Sequence, residues 1–144
     1  MQIGTLDFPD DLFYLVEHQV WARLSADQRV TVGITALGIR VAGEIYMCRP
    51  KPVGALLQQG KSVAVVELAK SIVSVKTPVS GTVLETNSQL LSTPELVHQD
   101  PYGQGWIARL QAHQLDTDLQ HLLHGNAVRA AMEQYARLYQ VQDA

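Results

Sequence analysis

The sequence predicts a mostly β domain with a short helix after the second strand and an amphipathic α-helix near the C-terminal end. Three observations carry this reading. β-branched and aromatic residues cluster densely between Leu12 and Val83, segments bearing proline or glycine separate those clusters, and apolar spacing of helical period is confined to Gly33–Ala42 and the stretch after Asn126. At 144 residues the chain matches one domain, 1–144, and its 47% hydrophobic content suffices for a core without disulfide or metal staples.

Taken in order, Leu12 to Val32 reads as strand, turn, strand. Phe13, Tyr14, Val16, Val20 and Trp21 lie before Ser25-Ala26-Asp27, a plausible turn, and Val30-Thr31-Val32 follows it. Ile34, Leu37 and Val41 then fall at helical spacing, with Thr35 placed to cap and Gly43 to stop a short helix. Glu44 to Cys48 reads as a strand ended by Arg49-Pro50-Lys51-Pro52, because proline cannot donate to a ladder.

From Lys61 to Val83 the valine-rich text implies a hairpin whose reversal falls at Leu68-Ala69-Lys70-Ser71, followed by a turn at Pro78-Val79-Ser80-Gly81. Asp100 to Trp106 is a turn-dense loop leading into a last strand, Trp106 to Leu110. Asn126 is placed to cap a helix over about 127–140 whose apolar face is Val128, Ala131, Met132, Tyr135, Leu138 and Tyr139.

Composition removes several function classes. A net charge of −3 and a pI near 5.9 argue against nucleic acid, which demands a concentrated basic face. No membrane partner is expected, since no apolar run reaches the length of a span, and the opening residues lack a signal-peptide pattern. A single cysteine, Cys48, excludes an internal disulfide and suits a reducing compartment, so the expected location is cytoplasmic.

Candidate chemistry is sparse. Gly54 to Ser62 looks like a phosphate loop, but five residues rather than four separate its glycines and a strand, not a helix, follows. His121 and His124 could share a helix face, yet no third donor joins them at metal-ligand spacing, so no metal site is expected. Cys48 lies in a strand-like stretch and reads as a small buried apolar residue. Lys70 stands apart, because a hairpin apex projects its amine from a rigid base where a modifying enzyme can reach it.

These residues resemble the lipoyl-bearing H-protein family of the glycine cleavage system. The resemblance covers Leu12 to about Leu110, and more weakly the terminal helix. Val32-Gly33-Ile34-Thr35 with Gly43-Glu44-Ile45 is similar to the family's strand-helix-strand opening, and Glu67-Leu68-Ala69-Lys70 to its modification motif. Gly81 stands eleven positions after Lys70 and Glu67 three before it, and Pro94-Glu95-Leu96-Val97 and Asp100 to Trp106 match the C-terminal loops. The resemblance implies a barrel-sandwich hybrid with lipoic acid in amide linkage on Lys70, rather than on Lys61 or Lys76. It further implies that Glu67 contacts the lipoate ligase or lipoyl-assembly enzyme and that Gly81 meets a turn requirement. The protein would be a carrier and not an enzyme, with the chemistry residing in the lipoamide.

Some positions depart from the glycine-cleavage pattern. Leu68-Ala69 and Ser71-Ile72 flank the lysine where that family has Ser-Val and Ala-Val, and Ser74 stands where an acidic residue is expected. Phe8 to Tyr14, His18 to Trp21, Arg49 to Gly54 and Gly60 to Ala64 resemble the lipoate-binding proteins of the sulfur-oxidising heterodisulfide-reductase-like system. The expected function is therefore an arm on Lys70 that shuttles a sulfur-bound intermediate or electrons to a heterodisulfide-reductase-like complex. The alternative is a glycine cleavage H-protein carrying an aminomethyl group among the glycine cleavage enzymes. A second alternative is an unmodified or biotinylated paralogue, although Ala69 and Ser71 replace the methionines that flank a biotinyl lysine.

Overall fold

The structure, a computed structural model, describes residues 1–141; residues 142–144, the last three of the expected domain, lie outside the described residues. Strands β1 (Gln2–Ile3) and β2 (Leu6–Asp7) pair around Gly4, and β3 (Phe13–Leu15), β4 (Val20–Leu24) and β5 (Arg29–Ile34) follow as an antiparallel meander. The strand expected across Leu12 to Trp21 is thus broken in two by a 3₁₀ turn at Val16–His18. Its cause is Gln19, which adopts a left-handed φ of 55°. The buried Gln19 side chain donates to Val16 O at 2.9 Å and accepts from the Thr35 hydroxyl at 2.6 Å, so the reversal is hydrogen-bonded from within.

Helix α1 (Ala36–Ala42) forms where the spacing places it. Thr35 Oγ1 accepts from Gly38 N at 3.0 Å, and Gly43 ends the helix at φ 81°. Strand β6 (Met47–Pro50) begins three residues later than expected and includes Arg49 and Pro50. Proline is tolerated there because β6 is an edge of the three-stranded sheet β6-β8-β9. The remaining elements are β7 (Leu56–Leu57), β8 (Ser62–Glu67), β9 (Ile72–Lys76), β10 (Gly81–Thr86), α2 (Gln89–Ser92), α3 (Leu96–Gln99), β11 (Ala108–Ala112), α4 (Leu115–Leu119) and α5 (Ala127–Leu138).

The larger sheet runs β3-β4-β5-β11-β10-β7. Val30, Val32, Leu110 and Val83 from this sheet share one core with Cys48, Val63 and Val66 of the smaller sheet, which is the mostly β sandwich expected for a barrel-sandwich hybrid. A second cluster, Phe8, Tyr14, Trp21, Leu37 and Met132, packs α5 against β4 and α1. Trp21 ties these parts together: it is fully buried, and its indole N–H reaches Ile34 O at 3.1 Å and Pro101 O at 3.2 Å.

Three expectations need correction. The last strand starts at Ala108 rather than Trp106 and continues to Ala112, because Trp106 is drawn aside to stack beneath the Arg109 guanidinium at 4.0 Å. Asn126 precedes α5, but its backbone is already helical and its side chain makes no capping bond. The buried stripe of α5 is Val128, Met132 and Ala136, whereas Leu138 and Tyr139 face solvent at the end of the helix. Among the described residues, no helix is long and apolar enough to cross a membrane.

Candidate functional site

β8 and β9 pair antiparallel up to Val66 with Val73 and Glu67 with Ile72, and Leu68 N donates to Ser71 O at 2.8 Å. Ala69 and Lys70 are therefore the two central residues of the reversal. Neither has a positive φ, so this turn imposes no demand for glycine or asparagine and accepts a lysine. Lys70 is exposed, and no hydrogen bond or ion pair engages its amine among the described residues. The base beneath it is stiff, since Leu68 packs on the main core and Val66 is buried.

The chain has four lysines, and the other three sit differently. Lys51 follows β6 with its N–H bonded to Val63 O, Lys61 and Thr77 are joined through a backbone hydrogen bond at the hairpin base, and Lys76 lies half-buried in β9 opposite Ser62. Only Lys70 occupies the apex.

Glu67 is close to that apex, at the end of β8. Its carboxylate lies 3.5 Å from the Arg49 guanidinium, and both side chains are substantially exposed, so the pair contributes little to stability. Gly81 is elsewhere. It opens β10 beyond the hairpin base, separated from the apex by the five residues of β9, a distance on the order of 15 Å. Its expected turn requirement is also corrected, because its φ is not positive. A Cβ at Gly81 would lie 2.3 Å from Gln111 O and 2.9 Å from Gln111 C, so glycine is needed because β11 passes too close.

The turn before Gly81 is held by a residue that the sequence reading overlooked. Asp118 of α4 is buried and accepts from Ser80 N at 2.6 Å and from Gln114 Nε2 at 3.2 Å. An Asp in a five-residue helix carries no periodic signal, and Asp116 of the same helix looks no different in sequence, so only the fold exposes this role.

A groove of about 310 Å³ opens beside the hairpin, lined by Val66, Leu68, Val73 and Ser74, with Val41 of α1 and Tyr135 of α5 across from them. It is largely apolar, and Ser74 Oγ is buried without a hydrogen-bond partner. A larger hollow of about 610 Å³ lies on the other side of α1 and carries the ionisable groups Arg40, Glu44, Glu95 and His98, but nothing from the hairpin. The sequence could show alternating valines in β9 but not that α1 and α5 close over them.

The remaining candidates are accounted for structurally. Cys48 is buried in the core, and burial pushes its thiol up to about 12. His121 and His124 do not share a helix: both follow α4, and His124 stacks on Phe13 with its Nδ1 2.9 Å from Leu12 O. Among the described residues, no group of three His, Cys, Asp or Glu could hold a metal. The chemistry left is that of one accessible amine at a rigid tip, next to an apolar groove with an unspent hydroxyl. An aliphatic disulfide-bearing arm fits that setting.

Residues 12–135 match the family model described as glycine cleavage H-protein. This chain belongs to that family. It is 41% identical over 127 residues to glycine cleavage system H protein 2 of Aquifex aeolicus, covering 88% of this chain and 79% of the relative. It is 39% identical over 131 residues to the glycine cleavage system H protein of Thermus thermophilus, covering 91% of this chain and all of the relative. The crystal structure of an H protein from Mycobacterium marinum superposes with a TM-score of 0.73 at 27% identity, covering 93% of this chain and 100% of that one. Family members are non-catalytic carriers with lipoate covalently attached to a lysine. The relatives' names back the glycine-cleavage carrier, given above as the alternative, over the sulfur-transfer reading.

Proposed function

We propose that Lys70 is the lysine that bears lipoate in amide linkage, and that the protein carries a group on the arm's sulfur between partner enzymes. The observation that carries this reading is the position of Lys70 at the tip of a two-residue hairpin turn, with its amine unengaged. Acylation replaces a hydrated cation with a neutral amide, taking the formal charge from −3 to −4. Bound lipoate supplies a disulfide that is reduced to two thiols and can hold a transferred group.

The protein's own residues supply placement. The paired strands hold Lys70 away from the core, and Glu67 offers a carboxylate beside it to the lipoate ligase or lipoyl-assembly enzyme. Gly81 serves only by letting β10 and β11 approach. Val66, Leu68 and Val73 give the arm an apolar surface within reach of its attachment point.

The glycine cleavage enzymes are the partners that the relatives' names favour. A second reading, transfer of sulfur or electrons to a heterodisulfide-reductase-like complex, is favoured by one observation: Ser74, a neutral residue, lines the groove where an acidic one is expected for glycine cleavage. The test begins with intact-mass and peptide analysis of protein from its native cell, in which one lipoyl group on the Lys70 peptide is expected. The lipoylated protein is then assayed with glycine decarboxylase and aminomethyltransferase. Turnover supports the first partner set, and its absence with a fully lipoylated carrier supports the second.

A further inference from the structure

We infer that the enzyme that acylates Lys70 reads the outer face of the hairpin, with Ile72 as its apolar anchor and Arg49 as the residue that positions Glu67. The inference rests on Lys70 being the acylated lysine and names the surface through which that reaction selects it. Its basis is a row of side chains across three strands. Met47 of β6 is paired with Glu67 of β8, and Glu67 with Ile72 of β9. Directly paired residues share one face of a sheet, so these three stand together. Their neighbours one position along, Cys48, Val66 and Val73, alternate to the other face, where Cys48 and Val66 join the core and Val66 and Val73 line the groove.

The row has the make-up of a contact surface. Ile72 is 67% exposed, and even a fully extended chain places its Cα no more than about 7 Å from that of Lys70. An enzyme that holds the Lys70 amine at its reacting centre therefore lies over Ile72, and burying that side chain strengthens the encounter. Arg49 is two residues from Met47 and on the same face. Its guanidinium stands 3.5 Å from the Glu67 carboxylate and 3.5 Å from Met47 Sδ. That ion pair is too long for a tight charge-assisted hydrogen bond, so Arg49 steers the carboxylate while leaving it able to accept from a donor on the enzyme. The inner face offers less, because Val66 is buried and Val41 and Tyr135 stand across the groove from it.

The step served is acyl transfer. The deprotonated Lys70 Nζ attacks the carbonyl carbon of a lipoyl adenylate made from lipoate and ATP. The amide C–N bond forms, the bond to AMP breaks, and one amine proton is released to water. Ile72, Arg49 and Glu67 hold none of the reacting atoms, so their loss should raise KM for the protein substrate and leave kcat alone.

The test follows lipoylation by the native cell's lipoate ligase against the concentration of full-length unlipoylated protein. Ile72→Thr keeps the β-branched shape and removes apolar surface, so KM should rise about tenfold at unchanged kcat. Leu56→Thr, on β7 and 75% exposed, should match the wild type. Arg49→Gln should raise KM about threefold, Arg49→Lys should restore it, and Arg49→Gln should add nothing in a Glu67→Gln background. Ile72 and Arg49 are both exposed, so urea midpoints should stay at the wild-type value. A wild-type KM in Ile72→Thr, a larger rise in Val73→Thr than in Ile72→Thr, or an undiminished Arg49→Gln effect in the Glu67→Gln background overturns the inference. Wild-type protein that gains its lipoyl group on a lysine other than Lys70, read by peptide mass, instead refutes the assignment of the carrier lysine.

Discussion

Replacing Gly81 by alanine separates two reasons for a glycine at that position. The added Cβ would lie 2.3 Å from Gln111 O, 2.9 Å from Gln111 C and 3.2 Å from Ala112 Cα, all backbone atoms of the partner strand. A comfortable carbon–oxygen contact is about 3.3 Å or more, so about 1 Å must be found between two strands held in register on both sides of the contact. Overpacking of this kind costs about 3 kcal/mol, the upper part of its usual range, because backbone cannot rotate away. With a urea dependence of about 2 kcal/mol per molar, the unfolding midpoint falls by about 1.5 M. A positive-φ requirement would cost only about 1 kcal/mol and would be relieved by asparagine. Gly81→Asn should therefore be at least as destabilised as Gly81→Ala, while the folded fraction of each is still lipoylated. A Gly81→Ala midpoint within experimental error of the wild type, or rescue by Gly81→Asn, would refute the close-approach argument.

Other expectations follow from the same structure. Asp118→Ala leaves the buried Ser80 N–H without its acceptor and should cost about 2–3 kcal/mol in chemical denaturation, a loss that Leu119→Ala, which strips no hydrogen bond, would not share in kind. Cys48 has a folded pKa raised above its unfolded value, so its contribution is fully present below pH 9 and is lost as pH rises toward 12. Stability should fall by up to about 1.4 kcal/mol per pH unit in that window through this group, and the wild-type slope should exceed that of Cys48→Ala by about one proton. Glu67→Gln breaks only a surface ion pair, so the unfolding free energy should change by less than about 0.5 kcal/mol while the lipoylation rate with purified ligase falls. An unchanged rate would remove Glu67 from ligase recognition.

What the sequence made legible was whatever repeats a local period or marks a local stop. The β8–β9 hairpin is written in alternating valines, and the helix after β5 in Thr35 and Gly43, which act within one turn of their own positions. The apex lysine follows from the hairpin, because the reversal has only one place to fall. Less legible were features decided by partners distant in sequence. Gln19 breaks a strand-like run because Thr35 and Met132 wait for its amide. Gly81 has no local signature that distinguishes a turn from a close approach, and the answer lies in β11, thirty residues away. The four-residue helices α2 and α3 are too short to show a period. The groove needed three elements together, and a lone serine in β9 announces nothing until α1 and α5 enclose it.

The central claim is tested most directly by lysine replacement. Lys51, Lys61, Lys70 and Lys76 are each changed to arginine, which keeps the charge but offers no amine that a lipoyl-transferring enzyme can acylate. Each folded variant is incubated with lipoate, ATP and a lipoate ligase and weighed intact. Three variants should gain one lipoyl group as the wild type does, and Lys70→Arg should gain none. A lipoyl adduct on folded Lys70→Arg, or its loss on replacing one of the other three, would contradict the account.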